Sequence, residues 1–142
     1  MDIIVGSDHG GYDLKEACKA HLEACSDHTV TDIGVFSRDS ADYPKIAHKL
    51  AREVAKGNYR RGILICGTGL GMSIVANRYK GVRAAVCHNL YTARMSRQHN
   101  DANILAMGGR VIGTGLALEM VDIFLETVFE KGRHQKRLEQ ID

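Results

Sequence analysis

Short apolar runs that stop at glycine, each followed by a stretch with helical spacing, recur down this chain. Ile3-Ile4-Val5 runs into Gly6, Thr29 to Ile33 into Gly34, Gly62 to Cys66 into Gly67, and Asn103 to Met107 into Gly108-Gly109, while Arg83 to Cys87 makes one further run. Between them, apolar residues return at three- and four-residue intervals, as Leu14, Ala17, Cys18, His21 and Leu22 do, which is the signature of helices packed on one face. The spacing predicts helices over about 12–25, 44–56, 71–78, 91–99 and 115–130. The only proline, Pro44, stands where a helix begins. Gly132 breaks the last helix and leaves a polar arm, 132–142.

Strands alternating with helices give a parallel sheet covered on both faces by right-handed crossovers. The expectation is one domain over 1–142, a Rossmann-like three-layer α/β fold whose five-stranded parallel sheet runs in the order 2-1-3-4-5. In that order ligands bind between strands one and three, beyond their carboxyl ends. Asp8-His9-Gly10-Gly11 and Cys66-Gly67-Thr68-Gly69-Leu70-Gly71 would meet there.

Composition narrows the function. At 142 residues, 44% hydrophobic and 25% charged, the chain can bury a real core. A formal charge of +2 is too small to point to nucleic acid. No apolar run approaches the roughly 18 residues of a spanning helix, so no membrane role is expected. The start, Met1-Asp2-Ile3, lacks the basic and apolar regions of a signal peptide. The four cysteines, Cys18, Cys25, Cys66 and Cys87, show no C-x-x-C or zinc-type spacing, which suggests free thiols in a reducing, cytoplasmic setting. Cys18 and Cys25, seven apart, would share a helix face as small core residues. Cys87, away from the crevice, reads as structural.

Glycines let backbone N–H groups approach an anion closely. The loop at 67–71 nevertheless matches no nucleotide signature. Met72 stands where a dinucleotide fingerprint beginning at Gly67 needs glycine, and also where a C-x5-R phosphatase loop needs arginine. The loop therefore suits an oxyanion or a phosphate, or serves only a tight turn. A thiol at a strand end just before a helix is placed to act as nucleophile or general base; the alternative is a buried core cysteine. His99-Asn100-Asp101 gathers hydrogen-bonding side chains at a helix end, where a lone histidine is usually just a cap interacting with the helix dipole. Arg133 and Arg137, at i and i+4, share a helical face. They are either solvated surface or a clamp for an oxyanion, which suits arginine's planar fork.

Taken together, these segments resemble the ribose-5-phosphate isomerase B family, which includes the allose-6-phosphate and galactose-6-phosphate isomerases. Asp8-His9-Gly10, Asp42-Tyr43-Pro44, Cys66-Gly67-Thr68-Gly69-Leu70-Gly71, Arg97-x-His99-Asn100-Asp101-x-Asn103, Gly109-Arg110 and Gly132-Arg133-His134-x-x-Arg137 carry the resemblance over essentially the whole chain. It implies an aldose–ketose isomerase acting on ribose 5-phosphate, with the six-carbon sugar phosphates as alternatives. It also implies a homodimer, or a dimer of dimers, with sites shared between subunits. Asp8, His9 and the Cys66 loop would come from one subunit, and His99, Asn100, Arg110, Arg133 and Arg137 from its neighbour, reached by the C-terminal arm. Within that scheme Cys66 would be the base, His99 the ring opener, and Thr68 with the N–H groups of Gly67, Gly69, Leu70 and Gly71 the cradle for the enediolate oxygen. Asp8 would hold sugar hydroxyls or relay a proton, His9, Arg133 and Arg137 would grip the phosphate, and Asn100 and Arg110 would add substrate contacts. One branch of the family uses a glutamate six places after the cysteine; Met72 puts this chain with the cysteine branch. No cofactor or metal is called for. Two other readings remain: a non-catalytic phosphosugar-binding module, and a thiol redox protein, which would lack a nearby resolving cysteine.

Overall fold

The computed structural model describes residues 1–25 and 27–141. Five parallel strands form one sheet: β1 (Asp2–Ser7), β2 (Thr29–Asp32), β3 (Arg61–Cys66), β4 (Ala84–Val86) and β5 (Ile104–Gly108). Among the described residues six α-helices flank it: α1 (Tyr12–Ala24), α2 (Tyr43–Ala55), α3 (Leu70–Ala76), α4 (Leu90–Gln98), α5 (Thr114–Glu126) and α6 (Arg133–Leu138), with a 3-10 turn at His9–Gly11. No helix among the described residues is long and apolar enough to cross a membrane.

Alternation along the strands divides the core. Ile3, Val5, Ile63, Ile65, Leu105 and Met107 face α1, α4 and α5, where Leu14, Leu22, Met120 and Phe124 meet them. Ile4, Leu64, Cys66 and Ile104 face α2 and α3, against Leu50, Met72 and Ala76. Met72, wholly buried there, is a packing residue.

The sheet order is β2-β1-β3-β5-β4, so the expected neighbours β3 and β4 are separated by β5. Burial explains the difference. Every residue of β5 is buried, and the β3–β5 ladder runs on past the strands through Gly62 N–H to the Asn103 carbonyl and Gly109 N–H to the Cys66 carbonyl. The three residues of β4, two of them alanine, are only half-buried. A strand with large apolar side chains gains most from an inner position, and a short one of small residues suits an edge. The crevice between β1 and β3 is unaffected.

Cys25 also departs from expectation. Helix α1 ends at Ala24, and Cys25 is its exposed, extended C-cap, so it no longer shares the face of buried Cys18. Helix α5 stops at Glu126, four residues early; the chain then runs extended, with the Glu130 N–H bonded to the Gln98 carbonyl. A buried ion pair ties down the far edge: Lys15, with no exposed side chain, lies 2.6 Å from Asp32. Burial raises the Asp32 pKa, but the hydrogen bonds from Lys15 and the Gly34 N–H and the charges of Lys15 and Lys19 outweigh it and hold the carboxyl below its ordinary range.

The turn after β1 leaves no room for a side chain at Gly11, where a Cβ would come within 2.4 Å of the Ile65 carbonyl oxygen. Gly11→Ala is expected to lose about 1–3 kcal/mol or more. Gly115→Ala, on the open first turn of α5 where nothing lies within 4 Å, should gain up to about 1 kcal/mol. Urea unfolding of both variants measures the contrast; equal stabilities would mean that the β1–β3 crevice is not packed as described.

Candidate active site

Three loops meet beyond the carboxyl ends of β1, β3 and β5, and glycines form their points of contact. A Cβ on Gly10 would lie 3.1 Å from the Gly67 nitrogen, and one on Gly109 would lie 2.6 Å from the Gly10 carbonyl oxygen. Asp8, 7% exposed, caps the turn that follows β1: one carboxylate oxygen accepts from the Gly11 N–H at 3.2 Å, leaving the other for a ligand. His9 accepts the Ala41 N–H at Nδ1, 3.1 Å. In the neutral ring the proton therefore sits on Nε2, which is free to donate.

Cys66 ends β3 with its side chain on the α2–α3 face, 5% exposed. The chain then turns through Gly69, whose φ of +80° is a left-handed conformation that glycine adopts without strain. That turn aims the Gly69 N–H at Cys66 Sγ, 3.0 Å away. The Leu70 N–H is also engaged, with Thr68 Oγ1 at 3.3 Å, so the Thr68 hydroxyl proton is free to point outward. The N–H groups of Gly67, Thr68 and Gly71 have no hydrogen-bond partner among the described residues. The cradle anticipated over 67–71 thus divides: two N–H groups shape the loop and three are open to an incoming oxygen.

Two side chains roof this loop. Tyr43 lies across Gly71, where a Cβ would come within 2.6 Å of its ring. It was visible in the Asp42-Tyr43-Pro44 motif but carried no role; only the fold shows where its ring rests. Arg110 lies across Gly67, whose Cβ would meet its Nη1 at 3.2 Å, and the Arg110 N–H bonds to the Gly67 carbonyl. The expectation that Arg110 serves with His99 is corrected: it stands with the Cys66 loop of its own chain, because the β3–β5 pairing carries Gly109 and Arg110 beneath that loop.

His99, Asn100, Arg133 and Arg137 gather elsewhere. Helix α4 runs back from the carboxyl edge, so its C-cap His99 emerges near the start of β5. The length of β5, about 13 Å at a strand's rise per residue, lies between the two groups. The 97–103 motif splits by task. Arg97, only 2% exposed, holds the Ala102 carbonyl and pairs with Asp101 at 2.8 Å, and Asn103 bonds to the N–H of Arg83 and the carbonyl of Gly81. These residues brace the segment. His99 and Asn100 are what it presents.

Helix α6 lies alongside. His134 stacks on His99 with centroids 4.1 Å apart and planes 10° from parallel, while Arg133 and Arg137 remain exposed. Burial first, then the neighbouring His99 ring and the Arg133 charge, lower the His134 pKa in spite of Glu130. His99, Glu130 and His134 bring ligand-type atoms within 4.8 Å of one another. The in-plane lone pairs of nearly parallel rings run side by side rather than converge on one ion, so the trio is a stacked pair with a carboxylate neighbour and not a preformed metal centre.

The profile of the Ribose/Galactose Isomerase family matches residues 3–141. The chain belongs to that family. Ribose-5-phosphate isomerase B of Escherichia coli is 48% identical to it over 139 residues, which cover 98% of this chain and 93% of that protein. The solved structure of Clostridium thermocellum Ribose-5-Phosphate Isomerase B superposes with a TM-score of 0.96 at 52% identity, covering 99% of this chain and 95% of that one. D-erythrulose-4-phosphate isomerase of Pectobacterium atrosepticum is 40% identical over 142 residues, covering 99% of this chain and 93% of that protein. The Ribose/Galactose Isomerase family thus joins relatives whose named substrates differ in carbon number.

All four cysteines are free thiols, and their surroundings separate them. Burial, aided by the nearby Asp122 charge, pushes the Cys18 thiol up to about 12. Burial likewise raises Cys87, against hydrogen bonds from Ser96 and Thr92. Iodoacetamide at pH 8, followed by peptide mass spectrometry, should modify Cys25 readily and leave Cys18 and Cys87 intact in the folded protein. Labelling of Cys18 at a rate near that of Cys25 would contradict the packing described for α1.

Proposed function

We propose that this chain is an aldose–ketose isomerase interconverting ribose 5-phosphate and ribulose 5-phosphate, with each active site made from two copies of the chain. One observation carries the reading: within a single chain, a thiol set over an open N–H cradle and a histidine stacked on the helix that carries Arg133 and Arg137 lie at opposite edges of the sheet. Neither group is a complete isomerase site. Two copies packed edge to edge would supply both halves to each site, with 132–142 as the segment reaching across. Ribose 5-phosphate is favoured because it is the named substrate of the relatives at 48% and 52% identity. Four- and six-carbon sugar phosphates are the alternatives. The cytoplasm suits four free thiols.

The chemistry follows from the residues. Ribose 5-phosphate is largely a closed furanose, and His99 of one copy would open it by moving a proton from the anomeric hydroxyl to the ring oxygen. Cys66 of the other copy, as thiolate, would then take the proton from C2. The electron pair left behind forms the C1–C2 double bond of a cis-enediolate, and the carbonyl electrons move to O1. Negative charge thereby develops beside the open N–H groups of Gly67, Thr68 and Gly71, each worth about 3 kcal/mol in such a role. Asp8 would relay the proton between O2 and O1, and the Cys66 thiol would deliver its proton to C1 to give the ketose. His9, through Nε2, together with Arg133 and Arg137 would hold the phosphate, and Asn100 and Arg110 would add contacts to the sugar. Binding energy from that distant group orients the reacting carbons.

Incubation with ribose 5-phosphate in deuterated water should place deuterium at C1 of ribulose 5-phosphate. Cys66→Ala should reduce this exchange by at least about a hundredfold while sugar-phosphate binding persists. Exchange near the parent rate would remove Cys66 from the role of base, and binding with no exchange by the parent protein would favour the phosphosugar-binding module.

Mixing Cys66→Ala with Arg137→Ala chains tests the shared site directly. Each variant alone should be nearly inactive, whereas co-refolded mixtures should regain up to about a quarter of the parental activity, since random pairing leaves half the dimers mixed with one intact site each. Mixed dimers that form without regaining activity would exclude the arrangement.

A further inference from the structure

At the edge where the strands begin, a cleft of about 400 Å³ opens between the start of β3, the end of α4 and the extended segment 127–131. Arg60, Arg61, Arg97 and Lys131 line it, against the carboxylates of Asp101 and Glu126. Asp101 is already committed, 2.8 Å from the Arg97 guanidinium and 3.0 Å from that of Arg83. Arg97 is committed as well, through Asp101 and the carbonyls of Ala102 and Thr127.

Arg61 is not. It is only 7% exposed, donates from Nη1 to the Arg60 carbonyl, and forms no salt bridge among the described residues. Its buried Nε–H has no hydrogen-bond partner. Burial first, then the neighbouring charges of Arg97 and Arg60, lower its pKa to about 10, which still leaves it charged at neutral pH. A buried guanidinium with an unmatched donor and like charges beside it is costly unless an anion completes it. Glu126 is the one uncommitted carboxylate of the lining, and it is exposed. It is the internal rival for that place.

We infer that this cleft is a second anion site, remote from the Cys66 loop, that takes a compact oxyanion of the phosphate class on the Arg61 guanidinium. The flat fork of Arg61 matches two phosphate oxygens, and exposed Arg60 and Lys131 at the rim add attraction from solvent. The cleft is large enough for either inorganic phosphate or the phosphate group of a small ester. The inference does not depend on the isomerase reading, because none of these side chains has a part in that chemistry.

The test is an NMR titration of nitrogen-15-labelled full-length protein with inorganic phosphate and, separately, with glycerol 3-phosphate, which has no carbonyl to isomerise. The Arg61 Nε–H signal and the backbone amides of 127–129 should shift saturably. Equal affinities would mean that the phosphate group alone is read, and tighter binding of the ester that the cleft also reads its organic part; both support the site. Arg61→Met, which keeps the aliphatic stem, should weaken this response by about tenfold or more and leave any response of the 67–71 amides unchanged. Lys131→Asn removes an exposed rim charge at a residue with φ of +61°, a conformation asparagine tolerates. It should weaken binding by a smaller factor and carries the comparison if Arg61→Met fails to fold. No saturable shift at Arg61 with either compound, or a response undiminished in both variants, would overturn the inference. So would binding seen only in Glu126→Gln, which would identify Glu126 as the counter-ion.

Discussion

The pairing of β3 with β5 is the constraint on which the rest depends. It is the most buried contact of the sheet, and it continues past the strand ends, where the Gly109 and Arg110 N–H groups bond to the Cys66 and Gly67 carbonyls. Those two bonds fasten the loop after β5 beneath the loop after β3. Gly109 is thereby brought against Gly10, and the turn bearing Asp8 and His9 is held in the same crevice. On the other side, the Lys15–Asp32 ion pair and the Asp32 bond to the Gly34 N–H fix the chain leaving β2. Eventually that chain delivers the Ala41 N–H to His9. The orientation of the histidine is thus set by a backbone N–H from the segment that follows β2.

The same pairing decides what one chain cannot do. A helix that follows a parallel strand must return to the sheet's opposite edge before the next strand begins. His99, at the end of α4, is therefore separated from Cys66 by the length of β5, and no side-chain rotation closes a gap of about 13 Å. The bonds of Arg97, Asp101 and Asn103 brace the 97–103 segment and hold His99 at that edge. The separation of His99 from the Cys66 loop within one chain is a property of the topology.

Much of this was legible in the sequence because glycine and buried apolar runs report local requirements. A run ending in Cys66-Gly67-Thr68-Gly69 can only be a buried strand entering a tight turn, and Asp8-His9-Gly10-Gly11 answers it across the crevice. What was not legible depended on neighbours distant in sequence. The sheet order turned on β5 being longer and carrying larger apolar side chains than β4, a comparison between strands that periodicity within each does not make. Arg110 was assigned to the wrong group for the same reason, since its position follows from which strand pairs with β3. Cys25 lost its place in the core to a single residue of helix length, and spacing alone does not resolve a helix end that finely. Arg61 gave no signal at all: an arginine opening a strand reads as a surface charge until the fold buries it.

On the shared-site reading, the separation of the halves also locates substrate selection. The groups that would change bonds, Cys66 with the open N–H groups of 67, 68 and 71, belong to one edge. Arg133 and Arg137, which would grip the phosphate, belong to the other. Each half is rigid within its own chain, one through glycine contacts and the other through the His99–His134 stack and the Arg97–Asp101 pair. The number of carbons that fits between thiolate and arginines is then fixed by how two copies dock, and a small change in docking distance alters it without touching either catalytic half. On that reading, relatives whose named substrates differ in length need differ only in how their copies dock, and not in the loop that would perform the chemistry.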